Sequence, residues 1–557
     1  MSKAVNAADW GILPGDHEKT TEKFGELMKA LEGQTGIVLR MEPGEYHFYP
    51  QLPLKKLHIS NHDACDGLAV GLSLKGIRDF TLDGGGSRWI FHTGMLPVHL
   101  ENCSGLLLKN FSVDYHRPVY SQGEILEVSR QRMLVRIDGE KYPWYAERDR
   151  LIFQGEDCEN AVHLCLEMDA NTRGPAYGTE DLYFCTETQK AGRHPRFRAV
   201  SKDVAEISLE GEECFFAGSC PGNLLIFRHY PRTAPAIYAV DSEDITCEGI
   251  RIHHAPGMGL LAERCENVSL KQVEVLPREE TGRCFSVAAD AAHFVNCSGK
   301  IRLQDCRFES QMDDGVNVHG LYAVVCGRTD DYRLQLDWGH VMQRGVCLAK
   351  AGDELALMRA DELRPFWRGK LKGIRTDQEG KMEAETEDVL PVLPQGRLAA
   401  ENLTRSPEVF VENCVFRRNR ARGVLLTCKN ALVENCLFET SGAAVYLEGE
   451  AEYWYESGAV RELTFRKNRF VDCSYVPEWG GAPIVACPKV TCGEASFFHG
   501  RVVLEGNEFS CFDERLLQLR QVGEICMKKN RYIATKTYPS KPGKRFDIAD
   551  CGSFQED

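Results

Sequence analysis

No two of the 23 cysteines form a Cys-x-x-Cys pair. Zinc modules built on cysteine draw their ligands from such closely spaced pairs, so that class is excluded. The count is odd, which a closed disulfide framework would not leave, and most cysteines fall inside strand-like segments. They read as small buried side chains in a reducing compartment. An excess of positive charge is also missing. The net charge of −15 leaves no basic face for nucleic acid or for an anionic membrane. No apolar run approaches the roughly 20 residues of a membrane span. Met1 to Trp10 lacks the apolar core of a signal peptide. These absences together predict a cytoplasmic protein acting on a neutral substrate. The phosphate-loop look of Gly84-Gly-Gly86 lacks both the lysine and the following helix, so it reads as a turn.

What is present is ordinary in composition and unusual in order. Apolar residues make 43% and charged residues 27% of 557, enough for two or three domains or one long repetitive one. Near the start, Thr20 or Thr21 is placed to cap a helix with Phe24, Leu27, Met28 and Leu31 on one face. A strand and a Pro-Gly turn follow, through Gly36 to Tyr46. Short strands then recur with a repeated phrase: polar, then Cys or Asn, any residue, aromatic. It is read at Asp305-Cys-Arg-Phe308, Asn413-Cys-Val-Phe416, Asn435-Cys-Leu-Phe438, Lys467-Asn-Arg-Phe470, Gly506-Asn-Glu-Phe509 and Lys529-Asn-Arg-Tyr532. Asn413 to Asn435 is 22 residues and Asn507 to Asn530 is 23. Strand patterning at that period, with asparagine at bends and aromatics inward, is the signature of a β-solenoid. The sequons at Asn110, Asn267 and Asn296 fall within strand patterns and read as structural.

Two stretches break the period, about 121–235 and 321–406, and both are rich in strand patterns. The predicted organisation is therefore a cap and first coils over 1–120, an inserted β-rich domain over 121–235, and central coils over 236–320. A second inserted domain over 321–406 and C-terminal coils over 407–557 complete it. The fold class is all-β, a right-handed parallel β-helix with an N-terminal cap helix and two small barrel-like insertions. The second insertion begins beside the acidic stretch described next, where it would shape a cleft.

The stretch Gln311-Met-Asp-Asp-Gly-Val-Asn-Val-His-Gly320 joins paired carboxylates to a short strand. Val316 and Val318 alternate with Asn317 and His319, so the valines can face inward and the polar pair outward. Gly315 would permit a bend. Asp290 lies 23 residues before Asp313, close to one coil. Parity places Ser286, Ala288 and Asp290 on the outer face, opposite Phe285, Val287 and Ala289. Parallel strands stack about 4.8 Å apart, so Asp290, Asp313 and Asp314 should form one outward cluster. The same face continues through Arg422–Thr427 and Ala443–Glu448. Carboxylates held together raise at least one pKa, giving the acid and base that glycoside hydrolysis uses. A diagonal placement would leave room for water and favour inversion. Gln311, Asn317 and His319 are candidate partners for sugar hydroxyls, and Trp144, Trp454 and Trp479 for stacking. An Asp-Asp-Gly turn is more often only a solvated bend, and acidic clusters on β-helices can hold calcium, but no calcium-type loop is visible.

Four stretches carry a family resemblance: Ile59-Ser-Asn-His-Asp63, Leu82-Asp-Gly-Gly-Gly-Ser87, Ile90-Phe-His-Thr-Gly94 and Gln311–Gly320. Together they resemble glycoside hydrolase family 110, and the cap resembles that of pectin-lyase-like β-helices. The resemblance implies an exo-acting, inverting, metal-independent α-1,3-galactosidase without cofactor. Its substrate would be a galactose-containing oligosaccharide or glycan of blood-group-B or linear type. It places the family's three essential aspartates on Asp290, Asp313 and Asp314, and is compatible with a homodimer. Which aspartate is acid and which is base stays open. The polygalacturonases share an upstream Asp before an Asp pair. Their Gly-His-Gly is here Val318-His319, and their Arg-Ile-Lys is missing. A non-catalytic glycan-binding β-helix is a third reading.

Overall fold

The computed structural model describes residues 3–184, 193–377, 379–491, 497–540 and 542–557. Three rows of short parallel strands run along it. The first extends from Lys3–Asn6 and Thr35–Arg40 to Ser553–Glu556. The second begins at Glu45–Phe48 and ends at Arg531–Ala534. The third begins at Val70–Lys75 and ends at Phe546–Ala549. It passes through Leu260–Glu263, Ala292–Val295, Val316–Arg328, Val424–Leu426 and Val445–Leu447. The fold is thus an all-β parallel β-helix. The helix Thr20–Ala30 covers its first coils, with Phe24 stacked on Phe48 at 5.5 Å. Neither threonine caps this helix through its side chain: Lys19 is the N-cap residue, and the Thr20 hydroxyl donates to the His17 carbonyl. No helix among the described residues is long and apolar enough to cross a membrane.

The repeated phrase has a physical meaning at each position. Its first residue turns the chain through left-handed backbone, with φ of 55° at Asp305, Asn413 and Asn435 and 63° at Gly506. Asparagine, aspartate and glycine adopt that conformation most readily. The sequon residues Asn110, Asn267 and Asn296 sit at the same kind of bend. The second residue points into the coil, where Cys306, Cys414, Cys436, Asn468 and Asn507 are buried. There the Asn468 amide donates to Asn507 Oδ1 at 3.1 Å, satisfying polar groups that burial would otherwise leave unpaired. The aromatics form a column: Phe416 on Phe438 at 4.9 Å, Phe438 on Phe470 at 5.3 Å, Phe470 on Phe509 at 4.7 Å.

Two antiparallel units bud from this coil. Tyr120–Val128, Arg132–Ile137, Leu164–Met168 and Leu224–Arg228 belong to a seven-stranded sheet around Ile125, Met133, Val135 and Phe227. In the second unit six strands close on themselves. The strand Val316–Arg328 leaves the third row and pairs with Arg333–Trp338 and Leu398–Asn402. Glu354–Arg359, Pro365–Thr376 and Met382–Thr386 complete the barrel. One continuous strand therefore joins the acidic stretch to the barrel wall.

Candidate active site

Ala292 pairs with Val316, His293 with Asn317 and Val295 with His319. Asp290 and Asp314 each lie just ahead of these strands, and so face each other from neighbouring coils. The Ala291 N–H donates to the Asp314 carbonyl at 3.1 Å, and the Asp314 N–H reaches Asp290 Oδ1 at 3.3 Å. The matching separation is 24 residues, so Asp290 opposes Asp314 and not Asp313. Asp313 stands one residue further out and is the most open of the three, with 19% of its side chain exposed against 7% for Asp290. The segment Phe285–Asp290 is not a strand, and the alternation expected of it fails. Val287 enters the coil core, while Phe285 and Ala288 pack with Met312 beneath the first inserted sheet.

Gly315 serves close approach, not a bend. A Cβ there would lie 2.4 Å from the Gly423 carbonyl oxygen of the next coil. Gly423 is constrained in the same way, 2.5 Å from the Ala444 carbonyl. Tight stacking here brings Arg420 and Arg422 against the aspartates. The Arg422 backbone N–H and Nε both donate to Asp314 Oδ1, at 2.8 and 3.0 Å. Arg420 Nη1 is 3.6 Å from Asp313 Oδ1, and Arg232 Nη1 is 3.4 Å from Asp313 Oδ2. Arg420 is itself paired with Asp181 of the first inserted domain and lies 4.4 Å above the Trp479 ring.

The three carboxyls consequently differ. Burial pushes Asp290 well above the usual carboxylate range, reinforced by the nearby Asp313 charge. Burial also raises Asp314, to about 7, against the pull of Arg422. Asp313 is desolvated too, but Arg420, Arg232 and Arg422 outweigh this and hold it below its ordinary value. Asp290 Oδ2 lies 2.6 Å from His293 Nδ1, and His293 Nε2 lies 2.8 Å from His319 Nε2. His319 Nδ1 donates to the Gly320 carbonyl at 2.7 Å, since a carbonyl can only accept. Its Nε2 is then an acceptor, His293 must donate to it, and His293 Nδ1 is left to accept the Asp290 proton. Burial lowers the pKa of both rings, to about 3 and 4, which keeps them neutral as this chain of bonds requires.

Asp290, Asp313 and Asp314 open on a cavity of about 700 Å³. Of the residues expected to meet sugar hydroxyls, only Asn317 lines it; its Oδ1 is buried with no hydrogen-bond partner. Gln311 is fully buried behind the wall, and His319 is covered and committed at both nitrogens. Trp454 and Trp479 line the cavity, whereas Trp144 packs within the first inserted domain. That domain supplies His163, Leu164, Tyr183 and Arg228 to the wall. Among the described residues the second barrel supplies none to the lining. It acts through Tyr453 and Trp454, against which His340 packs at 5.4 and 4.6 Å, and Gln343 donates to the Trp454 carbonyl at 2.6 Å.

Several residues of the site were not singled out from sequence: Arg232, Arg420, Arg422, His293, Glu456 and Asn61. For Arg422 a signal existed, because Arg422-Gly-Val repeats the Gly-Val that follows Asp314 one coil earlier. Arg232 and His293 carry no such local mark, and Asn61 is marked only by its place in Ile59–Asp63. One oxygen of each aspartate lies within 4.8 Å of the others, a set able to hold a cation. Three guanidiniums already stand around it as the compensating charge. This spacing is also shorter than the diagonal opening expected above, because the offset amounts to one strand step and one residue.

A family model for "GLAA-B beta-barrel domain I" matches residues 121–212. An alpha-1,3-galactosidase B of Phocaeicola vulgatus is 33% identical over 533 residues, spanning 91% of this chain and 88% of that protein. The chain belongs to the α-1,3-galactosidase family. An alpha-1,3-galactosidase A of Shewanella woodyi is similar as well, 30% identical over 548 residues, with 97% and 87% of the two chains covered. Among solved structures, an exopolygalacturonase of Thermotoga maritima aligns at a TM-score of 0.37 and 11% identity, over 95% of this chain and 92% of that one. The stretch Ile59–Asp63, part of the resemblance to the α-1,3-galactosidases, lies at the back of the site. The Asn61 side-chain amide lies 3.0 Å from His293 Nε2 and 3.4 Å from His319 Nε2, and Asp63 Oδ2 accepts the Arg232 backbone N–H at 2.7 Å.

Proposed function

We propose that the protein is an exo-acting α-1,3-galactosidase that releases terminal galactose from oligosaccharides or glycans by an acid/base mechanism without metal. The observation that carries this reading is the split among three adjacent carboxyls at the floor of one cavity. Asp313, faced by three arginines, favours the ionised form, and Asp314, at about 7, keeps a proton near neutral pH. Such a divergence assigns base and acid. Asp314 Oδ1 is occupied by Arg422, so its other oxygen carries the proton that passes to the glycosidic oxygen as the C–O bond breaks. Asp313 takes a proton from water as that water attacks the anomeric carbon. The reaction leaves Asp314 ionised and Asp313 protonated, and solvent restores both. Asp290 spends its two oxygens on His293 and on the Asp314 N–H. Its role is to hold Asp314 in place.

Walls from the first inserted domain and from Tyr453–Gly481 surround the floor, which suits a chain end better than a chain interior. The orphan Oδ1 of Asn317 is placed to accept from a sugar hydroxyl. The α-1,3 linkage and terminal galactose come from the named activity of the relatives, and inversion from the family resemblance. Carboxyl spacing alone would favour retention, since inverting pairs commonly stand about 6.5–9.5 Å apart. The test is hydrolysis of galactose-α-1,3-galactose beside α-1,4- and α-1,6-linked digalactosides and polygalacturonate. Release from the α-1,3 disaccharide, with loss of about 10²–10⁴-fold in kcat and retained binding for Asp313→Asn, is expected. Cleavage of polygalacturonate alone would move the protein to the polygalacturonase reading. Binding without turnover by the unaltered protein would make it a glycan-binding module.

A further inference from the structure

Away from the aspartates, a second cluster stands where the first coils meet the cap and the first inserted domain. Tyr49 stacks on His92 at 4.0 Å, and His92 on His116 at 4.8 Å. His47 turns its Nδ1 toward His92 Nε2 at 3.0 Å. The far nitrogen of each of these two rings is already committed. His92 Nδ1 is 2.7 Å from Glu156 Oε1, and His47 Nε2 is 3.1 Å from Glu45 Oε1. Carboxylate oxygens accept, so these two ring nitrogens carry the protons. On neutral rings, His92 Nε2 and His47 Nδ1 are then bare lone pairs aimed at each other. Asp16 Oδ1 adds negative charge 3.9 Å from His47 Nδ1, steadied by the Tyr49 hydroxyl at 2.6 Å. Two lone pairs and a carboxylate converging in this way make a ready site for a cation.

We propose that His47 Nδ1, His92 Nε2 and Asp16 Oδ1 bind a divalent transition-metal ion of the zinc type. The three donor atoms lie within 4.8 Å of one another. Tetrahedral zinc, with bonds of about 2.0–2.1 Å, wants its nitrogens roughly 3.3 Å apart, a few tenths more than the separation seen. Two imidazoles and one carboxylate, with water in the fourth position, match zinc's ligand preferences. Each ligand also has the outer partner that metal sites use: a carboxylate behind each histidine and a hydroxyl behind the aspartate. Glu156 accepts the Thr93 N–H at 2.6 Å, so the outer partner of His92 is itself held. Asp16 comes from the cap, His47 and His92 from successive coils, and Glu156 from the first inserted domain. An ion here would be structural, tying three parts of the chain together. The ligands are far apart in sequence, which is why no local spacing announces them.

The test is calorimetric titration of the chelator-stripped full-length protein with zinc chloride, with thermal unfolding followed in parallel. One zinc per chain and a zinc-dependent rise in Tm are expected. Asp16→Asn and His47→Gln should each weaken binding at least about tenfold. Asp16 is largely exposed, so its variant should fold, and Asp313→Asn should bind zinc as the unaltered protein does. Absence of binding would overturn the proposal. Binding lost in Asp313→Asn but kept in Asp16→Asn would also overturn it, placing the ion among the aspartates of the cavity.

Discussion

Asp313 and Asp314 are adjacent in the chain but are pushed in opposite directions: arginines hold Asp313 down, while burial raises Asp314 against the pull of Arg422. Asp313 meets Arg232 and Arg420 at both oxygens, while Asp314 is buried beside Asp290 and answered only by Arg422. The pH dependence follows from the two directions. Asp313 is depressed, so the proposed base is lost only as pH falls through a value below the ordinary carboxylate pKa. Asp314 is raised to about 7, so the proposed acid is present below that pH and is lost above it. The expected kcat/KM is a bell falling on the alkaline side near pH 7, measured on a disaccharide over a buffered series. A plateau that continued into alkaline pH would remove Asp314 as the acid. The aspartates were legible because Asp313 and Asp314 sit in one phrase and Asp290 one coil earlier. His293 and Arg232 were not. Their roles arise from contacts across coils and insertions that no spacing encodes.

At the scale of elements, the register between coils sets the site. Gly315 and Gly423 let successive carbonyls pass close to the backbone, which brings Arg422 onto Asp314. Gly315→Ala should force the coils apart and destabilise by about 1–3 kcal/mol, with turnover falling as Asp314 shifts. A urea midpoint and a specific activity both unchanged would refute this account of the glycine. The repeated phrase told where coils turn and which side chains stack, because left-handed bends and inward aromatics leave a mark on sequence. The one-residue difference between 23 and 24 did not show, since coil length varies at the loops. It decides which aspartate faces Asp290.

For the whole molecule, the coil provides the floor and one wall, at 453–481, and the insertions contribute to the rest unequally. The first inserted domain reaches the cavity directly; the second supports Tyr453 and Trp454 from behind. His340→Ala should therefore raise KM several-fold with little change in kcat, because it loosens a wall without touching the carboxyls. A fall in kcat at constant KM would contradict that division of labour. Two breaks in the period were visible in the sequence as strand-rich stretches without the phrase. The second was expected to shape the cleft, yet the first lines it, because that depends on how each sheet folds back over the coil. The measurement that most directly tests the central claim is proton NMR of galactose-α-1,3-galactose hydrolysis, following the anomeric signal of the galactose first released. β-Galactose is expected, formed by water that Asp313 activates while Asp314 protonates the leaving oxygen. α-Galactose as the first product would contradict it and make one of the close-set carboxylates a nucleophile.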